Sequence, residues 1–249
     1  MSEEEFPLHI PSKYHVSHYQ IPIERFFQFG FSVDCVVFGC LNNTLKVMLV
    51  ERGVQPYKGQ WALPGDLVYP NEEISTAAER VLRDLTGIED IPTMEQTKTY
   101  GKVDRHPVGR VLTVGHYALV NPDIYNPHAS SWADNIHWVD IEELPGLAFD
   151  HQEIIEDALE ALRTDARKKP IGFDLLPEKF TLNDLQIIYE SIFSTKLDKG
   201  NFRKRMLNMG LLKALEETQE NVAHRPARLY SFDTQSYETL KAKDFSFEI

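Results

Sequence analysis

The chain has 249 residues, 26 Lys+Arg against 38 Asp+Glu, a formal net charge of −12, 42% hydrophobic and 26% charged residues. These ordinary globular values exclude a wholly disordered or collagen-like chain, and the length predicts one large domain or two small ones. No apolar run approaches the roughly 18 residues of a membrane span, the start Met1-Ser2-Glu3-Glu4-Glu5 is acidic where a signal peptide is basic, and two cysteines make no disulfide framework, so a cytoplasmic protein without membrane contact is expected.

Residues 1–28 form an N-terminal extension carrying Phe6, Tyr14, Tyr19, Phe26 and Phe27, an aromatic set suited to covering a surface or a dimer interface. Phe31 to Phe38 and Leu45 to Val50 are β-rich runs around Leu41-Asn42-Asn43-Thr44, a hairpin signal. Cys35 and Cys40 fall on opposite faces of the first run, which predicts buried thiols rather than a bridge. Glu72 to Thr86 reads as a helix with Asn71 as N-cap, Glu72 and Glu73 in its first turn and Gly87 closing its C-terminus. Val111 to Val120 and Ile136 to Val139 read as strands. Gln152 to Lys168 is a periodic helix with Ile154, Ile155, Ala158, Leu159 and Leu162 on one face.

The segment Lys168-Lys169-Pro170-Ile171-Gly172-Phe173-Asp174-Leu175-Leu176-Pro177 breaks helix on both sides, so a domain boundary is placed there: 29–169, then 170–249. Beyond it, Thr181-Leu182-Asn183-Asp184 is a capping-box-like start to a helix with Leu185, Ile188, Tyr189 and Ile192 on its apolar face. Asp198 caps a second helix to about Asn208. Leu211 to Glu217 and Arg228 to Phe232 read as two strands joined by a polar loop.

The charge divides at the same place. Residues 1–169 carry 15 basic and 26 acidic residues, net −11, whereas Lys196 to Arg228 carries eight basic and four acidic ones, net +4. Two helices and a hairpin fit a winged helix-turn-helix, whose second helix enters the major groove. Here that helix bears Lys199, Asn201, Arg203, Lys204 and Arg205, and the hairpin tip bears His224, Arg225 and Arg228. Arg and Lys neutralise phosphates or read guanine, and Asn reads adenine. The plainer alternative is a solvated basic helix face; the capped helix pair with a basic-tipped hairpin raises DNA binding above it.

The segment from Gly65-Asp66 through Glu72 and Arg80 to Gly87-Ile88, preceded by Trp61-Ala62-Leu63-Pro64, resembles the Nudix box G-x5-E-x7-R-E-U-x-E-E-x-G-U, U being aliphatic. Glu72, Arg80, Gly87 and Ile88 match without a gap. The family's glutamates place divalent cations that polarise a diphosphate, but here those positions are Val81, Asp84 and Leu85, and the first glycine is Asp66. Valine and leucine cannot ligate a cation, so Glu72, Arg80 and Asp84 are read as remnants on a packing helix, with no catalytic residue, no metal site and no cofactor expected. A second group, Asp104-Arg105-His106-Pro107-Val108-Gly109-Arg110, leads into the strand with Tyr117. Asp104, Arg105, Arg110 and Tyr117 are the candidate effector-binding residues, against a plain solvated loop.

With both halves in view the chain resembles the Nudix-related transcriptional regulators, which include NrtR-type regulators of NAD metabolism and arabinose-responsive AraR regulators. Phe149-Asp150-His151, the linker Pro170 to Pro177, Phe180-Thr181-Leu182 and Asn201-Phe202-Arg203-Lys204-Arg205 carry the resemblance, the linker and the last run looking closest to the AraR type. It implies an α+β protein: a Nudix-like α/β/α sandwich as effector sensor, then a C-terminal winged helix for double-stranded operator DNA, working as a homodimer. The expected effector is a pentose. The alternatives are an NrtR-type regulator sensing ADP-ribose, or a Mg²⁺-dependent Nudix hydrolase of a nucleoside diphosphate derivative.

Overall fold

The computed structural model describes residues 28–125, 127–220, 225–243, 245 and 247–249. The N-terminal extension, but for its last residue, and His224 of the hairpin tip lie outside them.

The sheet is organised by one long strand. β1 (Gly30–Leu41) pairs parallel with β6 (Val111–Leu119) on one side. On the other it pairs antiparallel first with β4 (Gly65–Leu67) and then with β2 (Thr44–Arg52). β3 (Trp61–Ala62) and β7 (Ala133–Asp140) extend the sheet from β2, and β5 (Thr93–Tyr100) extends it from β6. The β1–β2 turn places Asn42 and Asn43 at φ 52° and 64°, the left-handed pair that a two-residue hairpin needs and that asparagine tolerates.

β1 is buried for most of its length, which fits a strand covered on both faces. Val33, Cys35 and Val37 pack against Ala77, Ala78, Val81, Leu82 and Leu85 of α1 (Ile74–Thr86). Val36 and Phe38 share the opposite core with Ile154, Ile155, Ala158 and Leu162 of α2 (His151–Lys168). The result is the expected α/β/α sandwich, and Cys35 and Cys40 are free thiols on opposite sides of it.

One boundary differs from the sequence reading. α1 begins at Ile74 rather than Glu72, and neither Asn71 nor Glu73 caps it with a side chain. The Glu72 carboxylate is engaged instead: it accepts from the Tyr69 N–H at 2.6 Å and from Arg80. Gly87 at φ 70° closes the helix as expected.

The linker is a 3₁₀ turn (Ile171–Leu175) whose Ile171, Phe173 and Leu175 are buried. It leads into α3 (Leu182–Phe193), where Thr181 and Asp184 form a full capping box. α4 (Lys199–Asn208) follows, capped by Asp198, whose side chain accepts from the Asn201 N–H at 2.8 Å. The hairpin of β8 (Leu212–Thr218) and β9 (Arg228–Phe232) comes next, and then α5 (Thr234–Lys241), which the sequence reading did not anticipate. The apolar cluster around α2 continues without a break through Phe173, Leu185, Tyr189, Phe202, Tyr230 and Phe247. Polar ties reinforce it: Tyr117 donates to Asp165 at 2.6 Å, Lys169 to Glu95 at 2.9 Å, and Thr93 to Asp174. The linker therefore welds the two halves rather than letting them swing.

Candidate functional site

A cleft of about 260 Å³ opens where β1, β4, the 101–110 loop and the start of α2 converge. Its floor is a buried charge network. Arg105 donates through Nε and Nη2 to both oxygens of Asp150, at 2.9 and 2.7 Å, and through Nη2 to Asp34 at 3.2 Å. Its side chain is 3% exposed. His151 Nδ1 accepts from the Leu63 N–H at 2.8 Å, which leaves its Nε2 to face Asp34 Oδ1 at 3.4 Å. Burial alone would push the Asp34 carboxyl up; His151 and Arg105 outweigh it and hold it at about 2. Gly65 is required beside it, because a Cβ there would sit 2.1 Å from Asp34 Oδ1 and 2.8 Å from the Val33 carbonyl oxygen.

Above this floor the walls are aromatic. The Arg52 guanidinium lies 4.7 Å from the Trp132 ring centre and 5.1 Å from that of Phe149. Its Nε donates to the Pro56 carbonyl at 2.7 Å, leaving the terminal nitrogens without a hydrogen-bond partner among the described residues. Phe149 stacks on His106 (5.3 Å, 12°) and meets Tyr57 edge-on, while Trp132 Nε1 donates to Asp66. A guanidinium held between rings, with unused donors, offers an anion both charge and fork geometry. The rings offer flat faces to a base or sugar.

The box helix does not fit a divalent cation. Val81 and Leu85 are fully buried against the sheet. Glu72 takes a bidentate ion pair from Arg80 at 2.9 and 2.6 Å, which holds its carboxyl below the usual range, and Tyr69 covers the guanidinium at 3.9 Å. Asp84 faces Arg83 at 3.1 Å and Arg80 at 4.0 Å. Hard cations need several oxygen ligands; among the described residues no three of His, Cys, Asp or Glu converge to supply them.

Of the four effector candidates, only Arg105 lines the cleft. Asp104 is exposed in its turn. Arg110 clasps its own loop by donating to the Gly101 and Lys102 carbonyls at 2.6 and 2.8 Å. Tyr117 is in the core on the α2 side of the sheet, tied to Asp165. The structure places these three away from this cleft. Asp34, Arg52, Trp132, Phe149 and His151 line the cleft unannounced, although Phe149-Asp150-His151 stood out as a motif.

In the second half, α4 buries Phe202 and Met206 and exposes Lys199, Asn201, Arg203, Lys204 and Arg205, whose cations form no ion pair among the described residues. Arg228 is partly occupied, since it clasps the hairpin through the Leu215 carbonyl at 2.7 Å and Glu216 at 3.4 Å. Arg225 is exposed and has an interaction of its own.

Comparisons with known proteins find relatives for both halves of the chain. The NUDIX domain family matches residues 30–160, and the NrtR DNA-binding winged helix domain family matches residues 172–232. The ADPR responsive transcriptional repressor NtrR of Acinetobacter baylyi is 34% identical over 232 residues, covering 91% of this chain and 88% of that protein. The crystal structure of Shewanella oneidensis NrtR complexed with a 27mer DNA is similar at a TM-score of 0.74 and 28% identity, covering 87% of this chain and 97% of that one. The NUDIX domain of the same protein, complexed with ADP ribose, is similar at a TM-score of 0.50 and 28% identity, covering 65% of this chain and 99% of that one.

Proposed function

The chain belongs to the NrtR-type Nudix-related regulators, a Nudix domain followed by an NrtR DNA-binding winged helix domain, and from that premise we propose that it is an ADP-ribose-responsive transcriptional repressor. The observation that carries the proposal is the pairing, in one welded chain, of an eroded box with an intact anion-and-ring cleft and an unpaired basic helix. One relative is described as ADPR responsive and the NUDIX domain of another was solved complexed with ADP ribose, so the expected pentose gives way to ADP-ribose.

In this reading the sensor is 29–169 and the DNA-binding unit 170–249. The terminal nitrogens of Arg52 meet the effector's diphosphate. Trp132, Phe149 and His106 flank its base or ribose, and the Asp34–Arg105–Asp150 floor fixes the cleft's shape. Lys199, Asn201, Arg203, Lys204 and Arg205, with Arg225 at the hairpin tip, meet operator DNA, and a homodimer presents two such surfaces to a two-fold site. Burial of Val81 and Leu85 weighs against the hydrolase alternative.

Calorimetric titration without divalent cations tests the effector half. ADP-ribose is expected to bind one site per chain, Arg52→Ala to weaken it about 10- to 100-fold, the worth of a charged hydrogen bond, and Arg110→Ala to leave it unchanged. Mg²⁺-dependent release of AMP that disappears in Asp84→Ala would overturn the reading in favour of a hydrolase.

A further inference from the structure

The C-terminal ends of three helices meet around an open cleft of about 800 Å³ next to the recognition helix. Arg167 and Lys168 come from the last turn of α2, Arg205 from that of α4 and Lys241 from that of α5. A cation in a last turn is favoured by its own helix dipole, which accounts for each of them singly. It does not account for four gathered on one cleft, where they repel one another. The C-terminal segment supplies the remaining wall, in which Phe247 is buried and Glu248, the one acidic side chain among the described residues lining it, has an interaction of its own.

None of the four cations forms an ion pair among the described residues. Arg167 lies over the Phe193 ring at 4.8 Å and donates to the Arg163 carbonyl at 3.4 Å, and the Lys241 ammonium is 5.9 Å from the Tyr237 ring centre. These contacts are made by the Arg167 guanidinium and the Lys241 ammonium themselves, and none of them brings in a carboxylate. The positive surface therefore does not end with α4. It continues through Arg205, which belongs to both sets, onto the sensor helix and α5.

We propose that this cleft is a second contact for the duplex that α4 reads: it takes the phosphodiester backbone flanking the operator, through Arg167, Lys168 and Lys241. The proposal rests on the winged-helix reading above and extends it to residues of the sensor. One helix, α2, then has a group of the effector cleft at its first residue, His151, and DNA-binding groups in its last turn.

The test is fluorescence anisotropy with two duplexes from the promoter of its own gene, one trimmed to the operator footprint and one longer by about one helical turn, roughly ten base pairs, on each side. The variant is Lys168→Gln with Lys241→Gln, which removes two exposed charges, keeps most of each stem and leaves Arg167 on Phe193. On the long duplex the slope of log K against log[salt] is expected to flatten by about 2, one for each phosphate contact. On the trimmed duplex variant and wild type should coincide, and Lys168→Arg with Lys241→Arg should restore the long-duplex slope, which a merely misfolded Gln variant would not explain. Equal slopes for wild type and the Gln variant on the long duplex overturn this contact alone. Wild type that binds neither duplex overturns the winged-helix reading together with it.

Discussion

Replacing Arg105 with methionine is expected to destabilise the protein by about 3–5 kcal/mol at neutral pH, the cost of removing one partner from a buried charge cluster. Arg105 is the guanidinium that bonds both Asp34 and Asp150, and methionine fills much of its volume while stranding those carboxylates in a site where Arg105 and Asp34 are 3% and 8% exposed. For a chain of this size that corresponds to a melting temperature lower by roughly 6–20 °C. The pH dependence distinguishes this cause from simple loss of packing. In the wild type Asp34 is held at about 2, below its ordinary 3.8. A carboxyl lowered on folding contributes stability above its unfolded value, about 2 kcal/mol here, and loses it as pH falls from about 3.8 to 2. In the variant the Arg105 share of that lowering is lost while His151 stays beside Asp34, so this contribution becomes smaller and the deficit shrinks as pH falls through about 3.8 toward 2. Urea unfolding at several pH values measures both; a deficit that stays constant or grows on acidification would remove the network from the account.

Arg203→Ala combined with Arg205→Ala is expected to weaken operator binding by at least about 2 kcal/mol, roughly 30-fold, twice the lower end of what one base-reading arginine contributes. Both side chains are exposed, and neither forms an ion pair among the described residues, so their loss should leave stability within about 0.5 kcal/mol. That separation of binding from folding makes the variant informative. Operator affinity unchanged in an anisotropy titration would mean that α4 is not the recognition helix, whatever its charge.

The residues differ in how much of this they announce. Fold class was legible because its signals are local. β-rich runs set β1 and β6, an Asn-Asn pair set the first hairpin, and a capping box and an N-cap aspartate set α3 and α4. The apolar character of two box positions was legible too, since Val81 and Leu85 are read directly from the sequence, and the structure turns both into the core. The strands β3, β4 and β5 were missed because two are very short and the third, with much of its surface exposed, lacks apolar alternation. α5 carries little apolar patterning and no buried residue.

The effector cleft was the least legible part, and for a physical reason. Asp34, Arg52, Arg105, Trp132 and His151 come from well-separated strands, loops and a helix start and meet only in the folded chain. Charge density in the 101–110 loop drew Arg110 into the candidate set, whereas its guanidinium is spent on loop carbonyls. Asp34 sits in an apolar strand run where a lone carboxylate reads as an exception, yet a buried acid is rarely left without a partner. That rule was the available signal: an Asp inside β1 demands polar partners, and Arg105 and His151 both face it. The net charge of −12 was similarly opaque, because it averages an acidic sensor with the basic stretch from Lys196 to Arg228.

The central claim is that the cleft and the winged helix are coupled through the welded core around α2. The most direct measurement is the operator Kd at increasing ADP-ribose, with ADP-ribose affinity measured with and without saturating operator. The account predicts that ADP-ribose changes operator Kd by about 5- to 150-fold, and that operator changes ADP-ribose Kd by the same factor, as linkage requires. An operator Kd that stays the same when the cleft is saturated with ADP-ribose would contradict it.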